Sequence, residues 1–317
     1  MRKRVLKSIV QIIPIFIVAG ILSVISLYSD NQFIKELSDY SFLMVPPLLG
    51  GSIAKELSGS VGFIPGMILG YLSGVIGLGM FGGIFVGILL GYFINGLKKI
   101  EISIEMSSVM YIVLIPILST LVVGLGMHYI FQEPMKYILD GLAQYLNSLD
   151  DKNNIFLNFV LGGLIGVDLG GPINKVAYVY ATNTLVYNRG DVMGAIAVAI
   201  STPPLALGVS QFILKNRFSK TEREAGVISI LLGILGITEG ALLFLTRDIT
   251  VLPTTVIGAA IGAAAATVLK VESMVPHGGI IILPLIDNKM GFLSALFIGV
   301  ASTIFMLYFL KKGENNG

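Results

Sequence analysis

Three ionisable side chains lie in stretches apolar enough to enter a bilayer, and each is set among glycines. Glu239 falls in Gly236-Ile237-Thr238-Glu239-Gly240, within the apolar run from Val227 to Leu245. A charge at that depth costs at least ~2.5 kcal/mol to insert, which makes it a functional candidate by default. This carboxylate can accept hydrogen bonds from the hydroxyls of a polyol, or carry a coupling proton. Its structural alternative is a carboxylate satisfied by Lys175 or by backbone amides. Asp168 falls in Gly166-Val167-Asp168-Leu169-Gly170-Gly171-Pro172-Ile173-Asn174-Lys175. Gly-Gly-Pro breaks a helix, and backbone groups freed at membrane depth are tolerated only where they line a cavity or are buried in protein. Asp168, Asn174 and Lys175 border that opening, unless Asp168 and Lys175 neutralise each other and pin the break. His277 falls in Val275-Pro276-His277-Gly278-Gly279, where an imidazole can donate or accept at neutral pH, or simply sit in a loop at the water boundary. Thr238 and Gly278, beside the carboxylate and the imidazole, complete the candidate binding set. His128, next to Tyr129 at the end of an apolar helix, suits an interfacial anchor.

The same inventory excludes most catalytic chemistry. There is no His-Glu-x-x-His, no Gly-x-Ser-x-Gly elbow and no Gly-x-x-x-x-Gly-Lys phosphate loop. With two histidines and no cysteine, an ordinary zinc site cannot form without carboxylates, and thiolate sites, disulfides and cysteine-based covalent steps are ruled out. Neither a metal nor an organic cofactor is expected. A net charge of +2 and the lack of a basic aromatic patch argue against nucleic acid. Too few fixed charges line the three motifs for a strongly ionic ligand, whereas carboxylate, amide and imidazole suit hydroxyls. The residues therefore predict a transporter whose second half holds a small uncharged polar ligand, and sugars present many hydroxyls. An ion-coupled secondary transporter, with Glu239 or Asp168 carrying a proton or binding sodium, stays open beside it. An intramembrane hydrolase lacks a visible nucleophile and base pair.

These groups must be positioned by membrane helices. Charged residues are 13% of the 317, hydrophobic residues 55%, and the mean hydropathy is +0.87. That leaves too little polar surface for a water-soluble particle. No charge occurs from Ser8 to Ser29, Leu57 to Leu97, Met106 to Gln132, Val192 to Leu214, Ile249 to Leu269 or Met290 to Leu310. A span needs about 20 apolar residues, so these runs and three interrupted ones predict an all-α polytopic membrane protein of about ten segments, some of them re-entrant. The run from Ser8 is too long for the core of a secretory signal. Arg2-Lys3-Arg4 with Lys7, Lys98-Lys99, Lys215 to Arg223 and Lys311-Lys312 mark the cytoplasmic side and put both termini there. The expected organisation is an N-terminal scaffold half over 1–131, an amphipathic linker at the membrane interface over 132–152, a substrate-binding half over 153–312 and a cytoplasmic tail, 313–317. In the first half, Gly66, Gly70 and Gly74, then Gly83, Gly87 and Gly91, form ladders for close helix contact, either within the chain or between copies.

The motifs resemble the membrane-embedded enzyme IIC component of the bacterial sugar phosphotransferase system, fructose branch, over most of the chain. The resemblance rests on Ile13-Pro14-Ile15-Phe16-Ile17-Val18-Ala19-Gly20, on Asp168 to Tyr178, on Pro203-Pro204, on the Glu239 motif and on Pro276-His277-Gly278-Gly279, in that order. It implies a glucose-superfamily, elevator-type fold, a homodimer joined through the N-terminal half, and two re-entrant hairpins in the C-terminal half. Glu239 would bind the sugar hydroxyls, with His277, Asp168 and Asn174 as neighbours. Phosphate would come from a phosphocysteine on enzyme IIB, itself charged by a phosphohistidine on enzyme IIA. As this chain has no cysteine and no phosphoryl-carrying residue, a separate IIB is expected to dock near Lys215 to Arg223. Fructose or a similar hexose is the implied sugar, and the bacterial cytoplasmic membrane, with its lipid, the implied setting. Where the family carries proline soon after the glutamate, this chain reads Ala241-Leu242-Leu243-Phe244.

Overall fold

In lipid a backbone must satisfy its own polar groups, and within one segment only a helix does so. The computed structural model describes residues 2–29, 31–100, 104–149 and 154–311. The end of the expected linker at 150–152, the first residue of the expected transport half, Lys312 and the tail at 313–317 lie outside the described residues. Among those described there is no strand, only one antiparallel bridge between Ser273 and Ile286. Six helical stretches are long and apolar enough to cross a membrane: Arg4–Ser29, Gly79–Leu97, Ser107–Ser148, Gly190–Ile213, Ile249–Val268 and Lys289–Leu310. The remaining apolar segments are shorter helices, cut by the glycines and prolines that interrupt them in the sequence.

The chain divides into two compact units, Met1–Asp140 and Gly141–Gly317. The first contains α1 (Arg2–Ser29), α2 (Gln32–Leu43), α3 (Val45–Ser58), α4 (Phe63–Val75), α5 (Gly79–Leu97), α6 (Ile104–Val109) and α7 (Ile115–Gly126). Its glycine ladders are spent within the chain. A Cβ on Gly66 would lie 2.8 Å from the Gly51 Cα, one on Gly70 2.8 Å from the Pro47 Cα, and one on Gly83 2.6 Å from the Pro46 carbonyl oxygen. Both ladders thus face α3, and α4 and α5 approach it almost backbone to backbone. From α6 onward the helix continues through α7 into α8 (Glu133–Ser148), and the boundary between the units falls within α8. Two π-helical turns interrupt it, Met110–Leu114 and Met127–Gln132, and each immediately precedes a proline-bearing turn at Pro116 or Pro134. Proline lacks the donor for the carbonyl four residues back and clashes with it, and the wider turn absorbs both defects. The segment expected as an amphipathic linker is helical over Glu133–Ser148 and follows from the preceding span without a break.

The second unit is built on α11 (Gly190–Ile213), in which every residue from Val192 to Gly208 is buried. A helix that is apolar on all sides belongs in a core. Around it pack α9 (Asn154–Asp168), α12 (Lys220–Ile234), α14 (Leu252–Val268) and α15 (Lys289–Leu310). Two pairs of helices fold back on themselves. In the first, α9 turns at residues 169–171 into α10 (Pro172–Thr184), and its open end is closed where Asn154 Nδ2 donates to Asp191 Oδ2 at 3.2 Å and Arg189 donates to Asn154 Oδ1 at 3.3 Å. In the second, α12 turns through a 3₁₀ segment, Thr238–Ala241, into α13 (Leu242–Arg247), and its open end is closed by Arg247 Nη1 donating to Ser219 Oγ at 2.5 Å. One open end adjoins the start of α11 and the other its finish, about 36 Å apart at 1.5 Å per residue. The two hairpins therefore enter from opposite ends of α11.

The second open end is fastened by charge. Ser219 and Glu222 form a capping box on α12, with the Ser219 amide 2.8 Å from Glu222 Oε2. Lys311, 5% exposed, reaches Glu222 Oε1 at 3.0 Å and Asp248 Oδ2 at 3.1 Å. Arg217 donates to the carbonyls of Tyr308 and Lys311 at the end of α15. Burial alone would push the Asp248 carboxyl up, but hydrogen bonds from Thr250 and Lys311 and the Lys311 charge outweigh it and hold the group below the usual carboxylate range.

Two outcomes follow from this packing. Gly66→Ala forces α4 away from α3 and lowers the melting temperature in detergent, at a cost of about 1–3 kcal/mol. Gly126→Ala, where nothing lies within 4 Å of the added methyl group, leaves the melting temperature unchanged or raises it. Because the folded Asp248 value is depressed, its contribution is full above the unfolded value of about 3.9 and is lost as pH falls through the folded one. The stability advantage of the wild type over Asp248→Asn is therefore present at pH 7 and shrinks as melts are repeated toward pH 3, with Glu222, Arg247 and Lys311 as the charged groups facing it.

Candidate functional site

The first hairpin turns by leaving helical space. Leu169 has φ 48° and Gly170 φ 99°, both in the left-handed region, and Leu169 is fully buried there. A non-glycine residue costs roughly 1–2 kcal/mol in that conformation. Asp168 holds the turn: its Oδ2 accepts from the Ile173 amide at 2.7 Å and its Oδ1 from the Asn174 amide at 2.9 Å. These are orphan donors of the first turn of α10, where a carboxylate is also favoured by the helix dipole. Asn174 answers in the other direction, donating from Nδ2 to the Ile165 carbonyl at the end of α9, 2.9 Å away. The two side chains thus fasten the two helix ends to each other. Among the described residues Asp168 and Lys175 form no ion pair, and Lys175 is exposed.

The second hairpin turns without side chains. At the end of α12 the Ile237 amide bonds the Leu232 carbonyl at 2.8 Å and the Gly236 amide bonds that of Gly233 at 3.2 Å, with Gly236 at φ 74°. This is the helix-ending geometry that favours glycine because a Cβ would be strained. The chain then presents Glu239 at the tip, half-buried, between buried Thr238 and buried Gly240. No proline is needed afterwards, and α13 starts at Leu242.

The tips meet. A Cβ built on Gly170 would lie 2.5 Å from Glu239 Oε1 and 2.7 Å from its Cγ, so the carboxylate rests directly on the glycine backbone of the facing hairpin. The third motif closes over both. His277 Nε2 lies 3.0 Å from the Leu235 carbonyl, an acceptor only, so the ring donates from Nε2 and, when neutral, keeps Nδ1 as an acceptor. Gly278 and Gly279 pack on the second tip: a Cβ on Gly279 would lie 2.5 Å from the Gly236 nitrogen. Tyr178 of α10 donates to the Pro276 carbonyl at 2.5 Å. The tip that carries Thr238 and Glu239 thus meets the Gly170 turn held by Asp168 and Asn174, while His277 and Gly279 lie against the end of α12 that leads into that tip. Among the described residues Glu239 makes no ion pair, and no group of three or more His, Asp or Glu could hold a metal.

Residues 6–258 match the family described as Phosphotransferase system, EIIC. The chain belongs to that family. This EIIC chain is 29% identical, over its full length and 92% of the other, to the fructose-like permease IIC component 2 of Escherichia coli K12. It is 29% identical to the fructose permease IIC component of Bacillus amyloliquefaciens, with 87% of this chain and 91% of that one covered. To the PTS system fructose-specific EIIABC component of Bacillus subtilis it is 27% identical over 98% of its own length, and it spans about half of that longer protein. All three of the sequence motifs that place the hairpin turns lie in the second unit, but the residues that tie off the open end of the second hairpin were not foreseen. Glu222 was legible as the end of a Ser-x-x-Glu capping box, whereas Asp248 and Lys311 carry no local signal.

Gly170→Ala places a methyl group against the Glu239 carboxylate and a side chain at φ 99°, at a strain cost of about 1–3 kcal/mol. The expected result is a large loss of sugar affinity, read by equilibrium binding to purified protein, with a melting temperature lowered by only a few degrees. Wild-type affinity in this variant would mean that the tip contact does not set the position of Glu239.

Proposed function

We propose that this EIIC chain is the membrane permease of a phosphoenolpyruvate-dependent sugar phosphotransferase system, moving fructose or a similar hexose across the bacterial cytoplasmic membrane for phosphorylation by IIB. The observation that supports the reading is the Glu239 carboxylate at the tip of one hairpin, laid on the Gly170 backbone of the other. Such a carboxylate accepts hydrogen bonds from two neighbouring sugar hydroxyls, and these are stronger than neutral ones because the acceptor is ionised. The His277 Nδ1 accepts a further hydroxyl, and Thr238 and Gly278 shape the floor. Asp168 and Asn174 act one step behind, holding the Gly170 turn against Glu239.

Phosphate travels from the phosphohistidine of IIA to the phosphocysteine of IIB and then to a sugar hydroxyl. In the last step the sulfur–phosphorus bond breaks, an oxygen–phosphorus bond forms, and the hydroxyl gives up its proton. Cysteine is absent from these 317 residues, so the phosphocysteine lies outside them. The Lys and Arg clusters support an orientation with the open end of the second hairpin, where Lys215 and Arg223 are exposed, and both termini on the cytoplasmic side. IIB docks there in this reading. The two hairpins are re-entrant, bring the count to about ten membrane segments, and carry the sugar by an elevator-like movement of the transport half over 153–312. A homodimer through residues 1–131 belongs to the same reading, and since the glycine ladders are spent on α3, its contact uses other faces.

Vesicles test it. Labelled sugar with phosphoenolpyruvate and the general phosphotransferase proteins should appear inside as sugar phosphate, whereas an ion gradient alone should accumulate nothing. Free sugar driven in by the gradient would overturn the proposal in favour of ion-coupled transport. Glu239→Gln should remove high-affinity binding, by about 100-fold, at an unchanged melting temperature, as expected when an ionised hydrogen-bond acceptor is neutralised.

A further inference from the structure

A second polar space lies at the open end of the first hairpin. A cavity of about 660 Å³, within the usual range for small-molecule sites, is lined by Asn147, Ser148, Tyr180, Asn183, Tyr187 and Arg189. None of the three sequence motifs contributes to it. Asn183 and Tyr187 are exposed to it and to the surrounding solvent. Thr184, also in the wall, donates to the carbonyls of Ala181 at 2.7 Å and Arg189 at 3.1 Å, which fixes the end of α10 on which Tyr180 and Asn183 ride.

The chemistry of the wall selects its occupant. Among the described residues the only charged one in the lining is Arg189, and its guanidinium is held by Asp191 Oδ2 and Asn154 Oδ1, each at 3.3 Å. Its charge is matched within the protein, so a phosphate or carboxylate gains little there. Among the described residues no carboxylate lines the cavity to attract a cation, and Leu149 is the single apolar side chain. Two amides, each both donor and acceptor, stand beside hydroxyls and phenol rings whose faces are apolar and edges polar. That combination fits a neutral ligand with many hydroxyls.

We propose that this cavity is an outer subsite for the transported sugar, occupied before the sugar reaches Glu239. This rests on the permease reading and on its orientation, which puts the start of α11 on the outer face. The 13 residues of α10 span about 20 Å, joining the cavity at one end to the Gly170 turn at the other. A sugar held at Asn183 and Tyr180 is thus on the same rigid rod that ends at the binding carboxylate.

The test uses sidedness. Asn183→Ala, and separately Tyr187→Ala, are compared with wild type in right-side-out vesicles loaded with phosphoenolpyruvate and the phosphotransferase proteins, and in inside-out vesicles given the same proteins outside. For fructose offered to the outer face KM should rise roughly tenfold at unchanged kcat, as expected for a hydrogen bond lost from ground state and transition state alike. Fructose offered to the cytoplasmic face should show no such rise. An unchanged KM on the outer face, or an equal rise on both faces, overturns the subsite. If wild-type vesicles phosphorylate no sugar at all, the permease reading fails instead. Fructose binding to purified Glu239→Gln protein then reads the cavity directly: weak binding that disappears in Glu239→Gln with Asn183→Ala supports the subsite, and no weak binding overturns it.

Discussion

The second unit is organised around one expensive object, a half-buried carboxylate brought to the meeting point of two hairpin tips and laid on bare backbone. Glu239 can rest on Gly170 only because that residue has no Cβ, because its φ is positive, and because the facing helix stops there. Each condition creates a further need. A helix that stops at depth leaves amides and carbonyls unpaired, and these must be answered inside the protein. The first hairpin answers with side chains, Asp168 on one helix end and Asn174 on the other, and the second with backbone bonds around Gly236. Two tips that meet also need open ends held far apart, which the uninterrupted α11 provides.

Much of this was legible in the sequence because it depends on residue type. Long uncharged runs marked α11 and α15 to within two residues and α1 and α14 less closely at their starts, and glycine beside an ionisable group marked all three breaks. What could not be read was direction. Gly-Gly-Pro announces that a helix ends, yet nothing local says that the chain returns the way it came. That depends on Arg247 finding Ser219 and on Asn154 finding Asp191, pairs 28 and 37 residues apart. The ladders in the first unit were equally visible and equally silent about their partner, since α3 offers prolines and glycines rather than a matching ladder. Lys311 reads as an ordinary orienting cation at a helix end, and only the fold brings it to a glutamate 89 positions away.

Small residues have two roles here. At the ladder positions of the first unit they remove volume so that helices touch, and their backbone remains in helical hydrogen bonds, whereas Gly59, Gly77 and Gly79 of that unit have positive φ. In the second, at Gly170, Gly236 and Gly279, they also permit left-handed turns that release the backbone from the helix. The difference matters because only released backbone can meet a ligand, and the three positions cluster where the carboxylate is.

The charges of the second unit differ mainly in how far they are answered. Asp168 has a backbone amide on each oxygen, Glu222 has Ser219 and Lys311, and Arg189 has Asp191. Among the acidic groups that are not exposed, Glu239 stands apart, with a glycine against its oxygen and no ion pair among the described residues. Leaving a part-buried carboxylate with so little compensation is costly. In the proposed permease, a ligand rich in hydroxyls removes that shortfall on binding. Among the acidic groups of the unit, the degree of internal compensation therefore sets Glu239 apart, and in the proposed permease it is the group left for the sugar while Asp168 holds the turn against it.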